Sequence, residues 1–276
     1  MTIKELYSYC SNELSFTECG DFEAMCIFND ILGFTKEQII LNNQAVTSFH
    51  QVKIDEVINR RKNGEPLQYI LGKWDFYDLS FSVGEGVLIP RPETEILVDF
   101  ALEKLKNVKN PVVYDLCSGS GCIGLTIAKH LRDSKVYLLE KEDKAFKYLL
   151  KNKEDLKLDN VFVINDDLYT VDLSLFPECD LIVSNPPYIM TEEIDSLQKE
   201  VLFEPITALD GGIDGYDFYR CLADRWSGKV KKGGYIAMEC GENQSKYIVE
   251  LFNNKYIESN IIFDFNNIDR VVTFRI

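Results

Sequence analysis

The tetrapeptide Asn185-Pro186-Pro187-Tyr188 carries the most specific chemistry in this chain. Two prolines remove backbone N–H donors and stiffen the turn, so nearby carbonyls have no local partner. The Asn185 side-chain oxygen and the Pro186 carbonyl can then accept both hydrogens of a planar –NH2, with Tyr188 stacking on its π-system. A nitrogen held in this way is aimed at an electrophile, and charge developing on it is stabilised without a base. A Pro-Pro turn after a strand also occurs as plain loop punctuation, so the reading depends on what surrounds it.

A second constellation lies upstream. Asp115-Leu116-Cys117-Ser118-Gly119-Ser120-Gly121-Cys122-Ile123-Gly124 joins a strand to a helix, and its glycines match G-x-G-x-x-G. Glycines let backbone approach a ligand closely, and the helix N-terminus behind them attracts negative charge. The string alone is a weak signal that equally suits a dinucleotide. Asp115 closes the first strand and Glu140 the second. A carboxylate at the second position accepts both hydroxyls of a ribose, which serves adenosylmethionine and NAD alike. Asp167, just past the third strand, is placed to accept an adenine amino hydrogen, and Leu168 offers the base an apolar face.

These residues need a scaffold that gathers strand ends. From residue 111 onward, strand-like runs at Val112–Leu116, Val136–Glu140, Val161–Ile164, Leu181–Ser184 and Tyr235–Glu239 alternate with helical patterns. That alternation predicts a mostly parallel sheet with helices on both faces, which binds ligands beyond the carboxyl ends of its strands. Ile261–Phe263 and Val271–Phe274 follow with no helix between them, which suits one antiparallel strand. Residues 1–64 show apolar spacings of three and four and read as a helical domain. Residues 65–91 read as a β-hairpin linker, with Tyr69-Ile70-Leu71-Gly72 an apolar run and Phe76–Val83 alternating. Leu88-Ile89-Pro90-Arg91-Pro92 is an extended entry to the third part, 92–276.

Composition narrows the partners. The 276 residues carry a net charge of −15, which disfavours long contact with a polyanion, whose affinity comes largely from Lys and Arg. Eight cysteines are scattered without a C-x-x-C pair, and His50 and His130 are the only histidines. No metal site is expected from that spacing, and the cysteines read as reduced thiols. Apolar runs are too short to span a bilayer, and the N-terminus has no signal pattern. The expectation is a cytoplasmic protein.

The chain resembles the HemK family of release factor glutamine N5-methyltransferases along essentially its whole length. The resemblance is carried by Asn185–Tyr188, by Pro66-Leu67-Gln68-Tyr69-Ile70 with Gly72 and Phe76, and by Leu88-Ile89-Pro90-Arg91-Pro92-Glu93-Thr94-Glu95. Glu204-Pro205, Ala208-Leu209, Gly211-Gly212, Asp214-Gly215 and Tyr219 resemble its stretch after the tetrapeptide; Glu239, Gly241, Gln244, Asp264 and Asp269–Val272 resemble its C-terminal part. It implies a class I, Rossmann-like S-adenosylmethionine-dependent methyltransferase domain preceded by a small helical domain and a β-hairpin linker, in an α/β protein. It implies methylation of the glutamine in the Gly-Gly-Gln loop of class 1 peptide chain release factors, giving N5-methylglutamine and S-adenosylhomocysteine. By motif position, Asn185, Pro186, Pro187 and Tyr188 would hold the glutamine amide. Arg91 and Glu93 would face the substrate, unless they serve only an interdomain ion pair. The cofactor would lie against Asp115, Cys117, Ser118, Gly119, Ser120, Gly121, Glu140, Asp167, Leu168 and Asn185. Cys117 departs from the glycine common in class I enzymes, and a side chain there narrows the allowed backbone angles. The family suggests a monomer, and the net charge and short apolar runs suggest no direct contact to nucleic acid or membrane.

Three other readings remain to be weighed. An adenine-N6 nucleic-acid methyltransferase shares Asn-Pro-Pro-Tyr, but the net charge counts against it. An NAD-dependent oxidoreductase shares the glycine turn, but no hydride-site histidine or Tyr-x-x-x-Lys supports it. A non-catalytic module that binds release factors through the N-terminal domain would be indifferent to loss of Asn185.

Overall fold

The computed structural model describes residues 1–42 and 44–276, and the chain divides into two compact units. The first comprises Met1–Lys73 with Lys199–Phe203. It holds helices α1 (Ile3–Glu13), α2 (Gly20–Leu32), α3 (Lys36–Leu41), α4 (Ser48–Lys62) and α5 (Leu67–Leu71). Reciprocal caps start α1 and α3. Thr2 accepts from the Glu5 N–H while Glu5 accepts from the Thr2 N–H, and Thr35 and Gln38 do the same, satisfying backbone donors that the first turn leaves unpaired. Leu6, Cys10, Ile27, Phe28, Ile54 and Ile58 form the core. Arg61, 4% exposed, donates to both carboxylate oxygens of Glu23 at 2.9 Å, to Glu200 at 3.0 Å and to the Glu65 carbonyl at 3.1 Å.

Leu67–Leu71 is a helix, not the strand-like start of a hairpin that its apolar run suggests. Pro66 precedes its first turn and Gly72, at φ 73°, ends it in the left-handed region. Five residues, four of them apolar, carry too little periodicity to separate helix from strand. The two-stranded sheet is instead β1 (Lys73–Phe76) and β2 (Leu79–Ser82), where the Phe76–Val83 alternation falls.

The second unit comprises Trp74–Gln198 and Glu204–Ile276. Helix α6 (Glu95–Leu105) leads into β3 (Val112–Leu116), α7 (Cys122–His130), β4 (Lys135–Glu140), α8 (Asp143–Leu156), β5 (Val161–Asn165) and β6 (Cys179–Ser184). Then come α9 (Asp217–Cys221), β7 (Val230–Glu239), α10 (Ser245–Leu251), β8 (Glu258–Phe263) and β9 (Asp269–Arg275). The seven strands run in the order β5-β4-β3-β6-β7-β9-β8; β9 is antiparallel to both β7 and β8, and the other neighbours are parallel. Strands β3 and β6 are buried almost throughout, as expected with helices over both faces.

The strand order reverses between β3 and β6, so the loops leaving these strands diverge and open a crevice at the carboxyl edge. Register sets what meets there. Leu116 pairs with Ser184, and the Ser184 hydroxyl donates to the Leu116 carbonyl at 2.6 Å. The next residues along the two chains are Cys117 and Asn185. Hydrogen bonding of parallel strands therefore places the glycine turn beside the Asn-Pro-Pro-Tyr turn.

Candidate active site

A cleft of about 290 Å³ opens at this edge, entirely within the second unit. Of the sequence-predicted residues, it gathers Arg91, Cys117, Ser118, Gly119, Ser120, Glu140, Asp167, Leu168, Asn185 and Pro187. Asp115, Gly121, Glu93, Pro186 and Tyr188 do not line it.

The glycines divide their work. A Cβ on Gly119 would meet nothing within 4 Å among the described residues, so this backbone faces open space, at a φ of 55°. Gly121 (φ 82°) precedes α7, and a Cβ there would lie 2.4 Å from Leu149. On Gly124 it would lie 2.8 Å from Asp115 and 2.9 Å from Leu138, so this third glycine serves the seating of α7 on the sheet. Cys117 does adopt a left-handed φ of 63°, a conformation costly for a residue with a side chain.

Asp115 lies beneath the turn. Its Oδ2 accepts from the Gly124 N–H at 2.8 Å, while Oδ1 is buried and has no hydrogen-bond partner among the described residues. Burial pushes its carboxyl up to about 7, opposed by the Gly124 N–H and reinforced by the Glu140 charge. Its unfolded value is 3.8, so the native state favours the neutral acid. That contribution to stability is complete below 3.8 and is lost as pH rises through about 7. The melting temperature of Asp115→Asn minus that of the parent is therefore expected to increase between about pH 4 and pH 8 by several degrees. Scanning calorimetry without cofactor measures it, and a difference independent of pH would show that Asp115 is not the titrating group.

Glu140 closes β4 against the turn. Its Oε2 accepts from the Gly119 N–H and its Oε1 from the Glu142 N–H, each at 2.7 Å. Each carboxylate oxygen has a further lone pair. Burial raises its pKa, opposed by those N–H groups. Asp167 accepts from Lys141 at 3.0 Å and from the Tyr169 N–H at 2.8 Å. Burial alone would push its pKa up, but these partners hold it below the ordinary value. Leu168 is buried at the wall, where its carbonyl accepts from the Trp226 indole at 3.1 Å and the Arg225 guanidinium at 3.2 Å. A half-buried glycine backbone facing open space, a fixed carboxylate beside it and an apolar wall ending in an acid are groups that could hold the amino acid, ribose and adenine parts of S-adenosylmethionine.

On the other side, Asn185 Nδ2 donates to Thr94 Oγ1 at 3.2 Å, and Thr94 donates to Glu239 at 2.6 Å. Tyr188 does not line the cleft; its carbonyl accepts from Gln244 at 2.9 Å, and a Cβ on Gly211 would lie 2.7 Å from its Cα. Arg91 is ion-paired with Glu204, whose second oxygen accepts from the Ile89 N–H at 2.9 Å. Sequence reasoning left Thr94, Glu204 and Glu239 without site roles. Glu239 had a signal, because it closes β7 as Glu140 closes β4. Thr94 and Glu204 fall in strings that carry the family resemblance, but nothing local gave them a role, since their partners are far away in sequence.

This arrangement is that of a class I S-adenosylmethionine-dependent methyltransferase. Residues 94–210 match the family model "Methyltransferase small domain", and residues 5–72 match "PrmC N-terminal domain". A methyltransferase structure from Pyrococcus furiosus is similar in fold, with a TM-score of 0.53 at 16% identity, covering 83% of this chain and 98% of that one. The chain is 38% identical to the release factor glutamine methyltransferase of Thermodesulfovibrio yellowstonii, over 91% of this chain and 90% of the relative. It is also 38% identical to that of Clostridium botulinum, over 100% and 99%. It belongs to the release factor glutamine methyltransferase family. Among the described residues, no helix is long and apolar enough to cross a membrane.

Proposed function

We propose that this enzyme transfers a methyl group from S-adenosylmethionine to the side-chain amide nitrogen of the glutamine in the Gly-Gly-Gln loop of class 1 release factors. The products are N5-methylglutamine, S-adenosylhomocysteine and a proton, which the nitrogen loses to solvent as the N–CH3 bond replaces an N–H bond. The observation that carries this reading is the placement of Asn185 in one cleft with Gly119 and Glu140, in a chain of this family. The cofactor, when bound, supplies an electrophilic sulfonium methyl.

The chain's own residues bind and aim. Glu140 accepts the ribose hydroxyls, the glycine turn from Cys117 to Gly121 lies along the amino acid portion above Asp115, and Asp167 and Leu168 receive the adenine. Asn185 Oδ1 and the Pro186 carbonyl accept the two amide hydrogens, Pro187 stiffens the turn, and Tyr188 fixes it from behind. An amide nitrogen is a poor nucleophile because its lone pair is delocalised. Two acceptors favour the charge that develops on it in the transition state, which is orientation with electrostatic stabilisation. Arg91 and Glu93 lie on the segment that leads to Thr94 and form the substrate-side rim, with Glu204 holding Arg91 in place.

Residues 1–64 act as the substrate-recognition domain, 65–91 as the linker and 92–276 as the methyltransferase domain. The protein works as a cytoplasmic monomer without direct contact to nucleic acid. Mass spectrometry of the release-factor loop peptide after incubation with S-adenosylmethionine tests the assignment. A gain of one methyl on the glutamine is expected; an unmodified peptide, or label in nucleic acid alone, overturns it.

A further inference from the structure

A carboxamide has two ends of nearly equal shape and opposite hydrogen-bonding sense. Presented by its oxygen, Asn185 accepts from a substrate –NH2; presented by its nitrogen, it opposes one donor with another. The site therefore depends on something that distinguishes the two ends. The Asn185 side chain makes one hydrogen bond among the described residues, from Nδ2 to Thr94 Oγ1.

Proton counting decides which end faces Thr94. A hydroxyl has one hydrogen, and an ionised carboxylate only accepts. Thr94, 2% exposed, gives its hydrogen to Glu239 Oε2 at 2.6 Å. Its oxygen is then available to neighbours only as an acceptor, and only the –NH2 end of Asn185 can satisfy it. We propose that Thr94 and Glu239 are positioning residues, which lock the Asn185 carboxamide with its oxygen available to the substrate amide. The inference deepens the glutamine-amide reading and rests on it.

The lock has a protonation state. Glu239, 3% exposed, is held by burial at a pKa of about 7, against the opposing Thr94 hydrogen bond and the Arg270 and Arg91 charges; Glu93 adds to the rise. Its other titratable neighbours are Cys122 at the start of α7, Tyr188, Cys240 and Tyr219, whose hydroxyl donates to the Glu239 carbonyl at 2.8 Å. Once protonated, Glu239 donates to Thr94. The Thr94 hydrogen is then released toward Asn185, whose oxygen end becomes the better partner. Turnover is expected to rise as pH increases through about 7.

The test uses the full-length enzyme with release factor and S-adenosylmethionine. Thr94→Val is expected to lower kcat by about 100-fold, the loss typical of a displaced reacting group, with cofactor affinity changed less than about twofold. Thr94→Ser keeps the hydroxyl and restores kcat to within about threefold of the parent. Glu239→Gln is expected to lose the pH limb. Independently of turnover, the Asn185 –NH2 resonances, assigned by their absence from the spectrum of Asn185→Ala, should titrate near neutrality in the parent and remain flat in Glu239→Gln. Parent-like kcat in Thr94→Val, equal losses in the valine and serine variants, or an unchanged pH profile in Glu239→Gln would overturn the lock. If the parent enzyme leaves the release-factor glutamine unmodified, the substrate reading falls. The resonance titration then still decides the lock.

Discussion

Asn185→Ala is expected to lower kcat for methyl transfer by about 10²- to 10³-fold, the range for removing one preorganised group that stabilises developing charge. The two strand ends, Leu116 and Ser184, are bonded through backbone and side-chain contacts that alanine at 185 leaves intact. Gly119 and Glu140 also keep their mutual hydrogen bond. Cofactor affinity should therefore change little, and binding of the release factor should largely survive. Calorimetric titration with S-adenosylmethionine and single-turnover methylation separate the two. A variant that binds both ligands and retains parent-like turnover would remove Asn185 from the reaction and favour a non-catalytic role. Loss of cofactor binding in proportion to turnover would instead make it a cofactor contact only.

Arg61→Ala is expected to destabilise the helical unit by about 3–5 kcal/mol, the cost of breaking a buried ion pair by removing one partner. The magnitude follows from what remains. Glu23 is buried on α2 and loses both guanidinium hydrogen bonds, so its charge stays in a poorly solvated site without a counter-ion. The Glu65 carbonyl and Glu200 lose donors as well. By contrast, Lys36 and Asp21 form a well-exposed pair whose removal costs about 1 kcal/mol or less. Urea titration followed by circular dichroism measures the difference. Parity between Arg61→Ala and Lys36→Ala would show that the Arg61 network does not hold the helices together.

Much of the catalytic unit was legible because its signals are local. A buried parallel strand reads as a short apolar run, and a carboxylate closing it is visible as the next letter, as at Glu140 and Glu239. The glycine turn and the Asn-Pro-Pro-Tyr turn are contiguous strings whose backbone demands are written in their residue types. What escaped depends on distance or on weak periodicity. Thr94 and Glu239 are 145 residues apart, and Ile89 and Glu204 are 115 apart; only the assembled sheet brings them together. Leu67–Leu71 is too short for its period to be read. The path from Thr191 to Ala208 is made of 3-10 turns, whose few residues per element leave no repeat to detect. Tyr188, read from the sequence as stacking on the substrate, does not line the cleft with its neighbours Asn185 and Pro187, and its carbonyl is bonded to Gln244.

The charges around the cleft have a consequence for the order of events. Glu140, Glu142, Asp166, Asp167 and Asp210 line it, whereas its two basic residues, Arg91 and Lys141, are each already paired with a carboxylate. The interior is thus biased toward cations, and a low-dielectric wall strengthens that bias. A sulfonium carries one more positive charge than the thioether it becomes. The same walls that would draw the methyl donor in are therefore expected to hold the spent molecule less tightly, so that completing the reaction itself would loosen the product for exchange.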